Sequence, residues 1–192
     1  PKRGYRLLET PDSLLPAEIV DGLTTAIFGR QQIVHLATVD SANSRARELA
    51  AQDAPEGTLV LAEQQTAGRA RRGRSWHSEA GAGIYLSLIV RPSLAASEVA
   101  RLTITTAVAA CEALRDLSGA DVRIKWPNDL LVGPRKLGGI LTELSLDQES
   151  VDYAVIGLGV NVGAAWFPAE LETIATSLKI ECGGDFRRAA VV

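Results

Sequence analysis

VRIKWPNDLLVGPRKLGGILTELS, residues 122–145, is the stretch that decides the fold. Three apolar runs lie within it, at Val122 to Lys125, Asp129 to Val132 and Ile140 to Ser145, and turn formers separate them. Pro127 and Gly133-Pro134 mark tight turns, so these runs are expected to be neighbouring strands. A further strand is expected at Tyr153 to Leu158. Upstream, Ile33 to Val39, Thr58 to Ala62 and Ile84 to Val90 carry the same buried-strand pattern, the last stopping at Pro92. Helices are expected at Ala17 to Leu23, at Asn43 to Gln52 with Asp40 and Ser41 as caps, and at Ala95 to Leu117. The last of these places Ala107, Val108, Cys111 and Leu114 on one face and stops at Gly119. The expected class is α+β: a mixed, largely antiparallel sheet with helices packed on one face.

The chain has 192 residues, the length of one domain with room for a remnant of a second. Hydrophobic residues make up 46% and charged residues 22%, a balance that excludes disorder. Twenty Lys and Arg against 23 Asp and Glu leave a net charge of −3, so no global basic field exists for sequence-blind nucleic-acid binding. Cys111 and Cys182 are too few for a disulfide framework or a structural zinc site, which points to a reducing cytoplasm. No apolar run reaches the ~18–20 residues of a membrane span, and no signal core is present. Pro1 to Leu8 (PKRGYRLL) reads as a short basic strand, followed by linker composition at Thr10, Pro11, Asp12 and Pro16. The expected division is a preceding segment and linker over 1–30 and a main domain over 31–192. The chain lacks Met, opens on Pro1 and ends within a helical pattern from Asp185 to Val192. Those ends create the expectation that a longer natural protein continues beyond them.

Four stretches carry chemistry. EQQTAGRARRGRSW (63–76) packs Arg69, Arg71, Arg72 and Arg74 into six residues, with Gly68 and Gly73 beside them. A long connection between two strands is usually functional, glycines let a backbone approach a ligand, and guanidinium groups match phosphate geometry. A solvated basic loop fits the composition equally well, and both readings stay open at this point. KWPND (125–129) presents Lys125 at a strand end; the alternative is a lysine that lies along Trp126. KLGGILTE (136–143) leaves room at Gly138-Gly139 for a neighbouring backbone or ligand, or marks a bulge at a hairpin edge. GLGVN (157–161) lacks the third glycine of a dinucleotide fingerprint and places an amide at a strand end. His35 and His77 have no partners at catalytic or metal spacing. The chemistry suggested is electrostatic neutralisation of a phosphate.

Together these residues resemble the biotin protein ligase family. The family's basic loop, GRGRRGRxW, corresponds to GRARRGRSW here (68–76), and its KWPND, KLxGIL and GxGxN segments to KWPND, KLGGIL and GLGVN. Each motif is weak alone; four in the family's order are specific, and the resemblance covers roughly residues 33 to 182. It implies the biotin–lipoate ligase fold, related to class II aminoacyl-tRNA synthetases. It also implies a reaction in which biotin and ATP give biotinyl-5′-AMP, whose acyl group passes to a lysine of a biotin carboxyl carrier protein.

The same resemblance implies residue roles. Ser41, Ala42, Asn43, Gln65, Gly139 and Gly157 would surround biotin, with Gln65 and Ser41 on its ureido group. Arg69, Ala70 and Arg71 would close over biotin and its phosphate. Lys125 and Arg71 would be catalytic, Lys125 lying between the carboxylate and the α-phosphate. Arg71, Arg74, Trp76, Lys136 and Asn161 would hold ATP or the adenylate, and Asp129 would orient Mg²⁺. Two departures stand out: Ala70 replaces a family glycine, with an expected cost if the loop needs φ > 0 there, and Ala42 replaces a family Thr. KRGYRL (2–7) resembles the wing of an N-terminal winged helix, so DNA would be reached only through a preceding domain. A homodimer through the sheet edge is a further expectation; a membrane partner is not. The rival readings are a lipoate–protein ligase, whose basic loop has a different arginine–glycine pattern, and a non-catalytic DNA-binding module.

Overall fold

The computed structural model describes residues 12–148 and 150–192. The basic strand expected at 1–8 lies outside them. Along the chain run α1 (Pro16–Gly22), β1 (Ile33–Leu36), α2 (Ala42–Ala50), β2 (Leu59–Ala62), β3 (Gly83–Val90), α3 (Ala100–Ser118), β4 (Val122–Lys125), β5 (Asp129–Val132), β6 (Arg135–Asp147), β7 (Ser150–Asn161) and α4 (Leu178–Cys182). The short turns of residues 122–145 produce the antiparallel ribbon β4–β5–β6, which continues into β7. Among the described residues the sheet has seven strands, in the order β1–β2–β3–β7–β6–β5–β4. Only β1 and β2 pair in parallel among these neighbours, because α2 intervenes between them as a crossover.

The class is the α+β sheet that the sequence implied, but its helices divide between the two faces. Along β3, Ile84, Leu86, Leu88 and Val90 point toward α3, whose Ala107, Cys111 and Leu114 complete that core. Tyr85 and Ile89 point the other way, onto Ala42, Ala46 and Ala50 of α2. Strand alternation forces this split. Val108, expected on the buried stripe of α3, is instead 40% exposed; the fully buried positions of the helix are Ala107, Cys111 and Leu114, at i, i+4 and i+7. Gly119 ends α3 in the left-handed conformation with φ 70°. The helix expected from Asp185 is only a three-residue 3-10 turn, Arg188–Ala190; a side-chain ion cluster described below pins it. Helix α4, capped by Ser177, was not expected from the pattern.

Candidate active site

The face of the sheet not covered by α3 is open beside α2, and a cleft that opens to solvent lies there on β3, β7 and β6. Two glycines of GLGVN make its floor. Gly157 and Gly159 are two apart and share a face. A Cβ on Gly157 would collide with the Asn43 amide, and one on Gly159 would lie 2.7 Å from the Trp76 ring. The missing side chains therefore let Asn43 and Trp76 lie flat on the strand. Asn43 is fixed by three partners: its Nδ2 donates to the Leu141 carbonyl at 3.2 Å and to Glu143 at 2.9 Å, and its Oδ1 accepts from Ser87 Oγ at 2.6 Å. Trp76 Nε1 is buried without a partner among the described residues, a donor available to an acceptor in the cleft.

Lys136 reaches this face because of a bulge. The pairing of β5 with β6 slips between Leu130 and Leu131, so that Leu130 opposes Gly138 while Leu131 opposes Lys136. The extra residue, Leu137, joins the α3 core, and alternation resets across it. Lys136 thereby shares the side of Gly139, with its Nζ 3.3 Å from where a Gly139 Cβ would be. Without the bulge the ammonium would point into the apolar core. Its Nζ lies 2.7 Å from Asp129 Oδ1 and 5.3 Å from the centre of the Trp76 ring, so a cation stands above an aromatic face at the cleft.

The basic loop forms the lid side. Arg69 bridges to Ser75 and the Ala70 amide donates to the Arg74 carbonyl at 2.7 Å, which folds the arginines into a tight hairpin. Arg69 Nη2 lies 2.6 Å from Glu143 Oε2, and Arg71 Nη1 donates to Asn128 Oδ1 at 2.9 Å. Ala70 is extended, with φ −129° and ψ 174°. The condition attached to a cost at this position, φ > 0, is not met in this structure: the left-handed residues are Arg72, φ 59°, and Gly73, φ 70°. The turn is made at these two residues.

The structure gathers most of the residues singled out from the sequence. Ser41, Asn43, Gln65, Arg69, Ala70, Arg71, Trp76, Lys136, Gly139 and Gly157 all line the cleft, and Arg74 lines an adjoining cup with the rest of the loop. Ala42 is buried and donates its amide to Gln65 Oε1 at 2.9 Å. Three residues differ. Lys125 is exposed at the end of β4 and is not among the cleft residues; β4 lies two strands beyond β6, about 10 Å away at normal strand spacing. Asn161 is buried and donates its amide to the Thr176 carbonyl at 2.9 Å, away from the cleft lining. Asp129 is paired with Lys136, and no cluster of three His, Cys, Asp or Glu exists among the described residues.

Sequence reasoning missed Tyr85 and Ser87, which line the cleft because β3 alternates, and Glu143, the carboxylate under Arg69. It also missed Arg188, 2% exposed, whose guanidinium meets Asp12 at 2.9 Å and Glu63 at 2.6 Å. Burial pushes the Glu63 carboxyl up, but the Leu14 amide, His35 and Arg188 outweigh it and hold it below its ordinary value. Burial pushes the Tyr85 phenol up, leaving it a neutral donor, to the Glu79 carbonyl at 2.9 Å.

The chain matches the Biotin/lipoate A/B protein ligase family over residues 36–161. It is 42% identical over 193 residues to the bifunctional ligase/repressor BirA of Bacillus subtilis, covering 100% of this chain and 59% of the relative. With a biotin–[acetyl-CoA-carboxylase] ligase of Paracoccus denitrificans it shares 40% identity over 145 residues, 73% of this chain and 59% of the relative. A solved biotin protein ligase from Aquifex aeolicus, in complex with biotin and ATP, superposes with a TM-score of 0.72 at 32% identity, covering 84% of this chain and 65% of that one. The ligase from Leishmania major in complex with biotinyl-5-AMP gives 0.69 at 26%, covering 83% and 70%. The chain thus spans 59% of the length of these two curated relatives. Matched by the family over 36–161 and by a relative along its whole length, the chain belongs to the biotin/lipoate A/B protein ligase family.

Proposed function

We propose that this chain is the catalytic domain of an ATP-dependent biotin protein ligase. The observation that carries the reading is one cleft in which Lys136 and the arginine hairpin converge over the glycine floor of β7. In the first step the biotin carboxylate attacks the α-phosphorus of ATP, and pyrophosphate leaves. In the second, the amine of an acceptor lysine attacks the acyl carbon, and AMP leaves. Both steps concentrate negative charge at the reacting oxygens, which preorganised cations stabilise. Lys136 takes the role expected of Lys125, and Arg71 is the loop arginine nearest to it in function. Gln65 uses one acceptor site on Ala42 and one donor on Ser78 Oγ at 2.8 Å; one of each remains for the neutral ureido group. Ser41 Oγ accepts from the Ser44 amide at 3.4 Å and keeps its proton to donate.

Asp129 alone, already paired with Lys136, does not fit a protein-held Mg²⁺, and no step here runs through one. The acceptor is read as a biotin carboxyl carrier protein, by resemblance. No helix among the described residues is long and apolar enough to cross a membrane, and a cytoplasmic site, a homodimer and DNA contact through a preceding segment belong to the same reading. Incubation with ATP and either biotin or lipoate, followed by pyrophosphate assay, tests it. Biotin-dependent release is expected; release with lipoate only, or with neither, overturns it.

A further inference from the structure

We propose that Asn128 is a positioning residue that latches Arg71, and that the neutrality of its amide sets how readily the arginine hairpin transfers to a phosphate. The inference rests on the ligase reading of the cleft. Asn128 is 9% exposed. Its Nδ2 donates to the Ile140 carbonyl at 3.0 Å, and its own carbonyl accepts from the Ile140 amide at 2.9 Å. Pinned at both groups to a cleft strand, the side chain can turn only Oδ1 outward, and Arg71 Nη1 occupies it at 2.9 Å. The orientation follows from the network, since a flipped amide would set Nδ2 against a guanidinium and Oδ1 against a carbonyl.

The hairpin's other anchor is different in kind. Arg69 sits on the Glu143 carboxylate at 2.6 Å. One charged member already strengthens the Arg71–Asn128 bond over a neutral one; the Arg69–Glu143 pair adds the direct attraction of opposite charges. A phosphate arriving in the cleft offers Arg71 a stronger acceptor than it holds, while Arg69 gains little by exchanging one anion for another. Arg69 therefore stays as the hinge and Arg71 moves. A carboxylate at 128 would remove this asymmetry.

Three measurements on the full chain test the latch. In hydrogen exchange without added ligand, Asn128→Ala is expected to speed exchange of the Arg72 to Arg74 amides several-fold; unchanged exchange overturns the latch whatever the cleft binds. With biotinyl-AMP, Asn128→Asp should release the adenylate about tenfold faster, and Asn128→Ala should release it more slowly although it melts earlier for want of the Ile140 bond. A merely structural role would move stability and retention together in both variants, and that result overturns the proposal. In an Arg71→Ala background the Asn128→Asp effect should vanish; its persistence also overturns it. A wild-type chain that binds no biotinyl-AMP would defeat the ligase reading, and the exchange experiment would still decide the latch.

Discussion

Arginine is used in two opposite ways in this molecule. Arg188 is 2% exposed, and its side chain gives hydrogen bonds to the Asp12 carboxylate and carbonyl, to Glu63 and to the Gly83 carbonyl. Arg69, Arg71, Arg72 and Arg74 sit on an exposed hairpin. There Arg69 meets one carboxylate, Arg71 one amide, and Arg74 only the Arg71 carbonyl at 3.4 Å. A buried guanidinium must be saturated or it costs more than it returns; an exposed one stays hydrated and can exchange its partner. The first arrangement ties residue 12 and residue 188 to the end of β2 and the start of β3. The second keeps positive charge in reserve for a ligand. Sequence composition counts both alike, and only burial separates them.

The contrast is broken most severely at Arg188. Arg188→Ala would leave Glu63 and Asp12 facing each other without their cation. Losing one member of a buried pair costs about 3–5 kcal/mol, a large share of a domain's ~5–15 kcal/mol. Thermal and urea unfolding should show that loss, whereas Arg74→Ala should shift stability by less than about 0.5 kcal/mol. Equal losses would erase the distinction. Acid sharpens it. Because Glu63 is held below its ordinary value of 4.5 in the folded chain, it binds protons more weakly there than when unfolded. Its contribution to stability is present above that value and is lost as pH falls through the depressed one. Glu63→Gln should flatten the pH dependence of unfolding below about 4.5.

Next in size is the effect of Lys136. Removing one preorganised donor to a developing charge costs about 100- to 1000-fold in rate, so Lys136→Ala should lower biotin-dependent pyrophosphate release by that factor with little change in melting. Lys125→Ala should change it less than threefold, roughly the reach of a surface charge. The reverse ranking would return the catalytic role to β4.

The two lysines also show what the sequence could carry. The ribbon of residues 122–145 was legible because alternating apolar runs and Gly-Pro turns are local signals, and β4 and β5 have the bounds expected. The four motifs were legible as a set for the same reason. Side-chain direction was not. Whether Lys136 faces the cleft depends on a one-residue bulge at Leu137, which depends in turn on pairing with β5, while Lys125 is left out by strand order, two strands beyond β6. Arg188 and Glu63 meet across 125 positions, a pairing that no window of sequence contains. The division of α2 and α3 between two faces likewise follows from β3 lying inside the sheet, where both faces need cover.

The smallest effect locates backbone strain within the hairpin itself. Arg72 has φ 59° and ψ 37°, while Ala70 has φ −129°. A side chain in the left-handed region costs roughly 1 kcal/mol, and glycine escapes that cost. At an extended position glycine only adds freedom to the unfolded chain, at about 0.5–1 kcal/mol. The preference for glycine over alanine should therefore reverse within two residues. Arg72→Gly should be more stable than Arg72→Ala, a pair that removes the same charge, while Ala70→Gly should be less stable than the parent. Adenylate release should change less than about twofold in Ala70→Gly, because the hairpin already forms with alanine extended and ~0.4 kcal/mol is all that factor represents. Slower release by tenfold, with no stability loss, would mean that the hairpin turns at residue 70 when it closes on the adenylate, and that the strain moves with it.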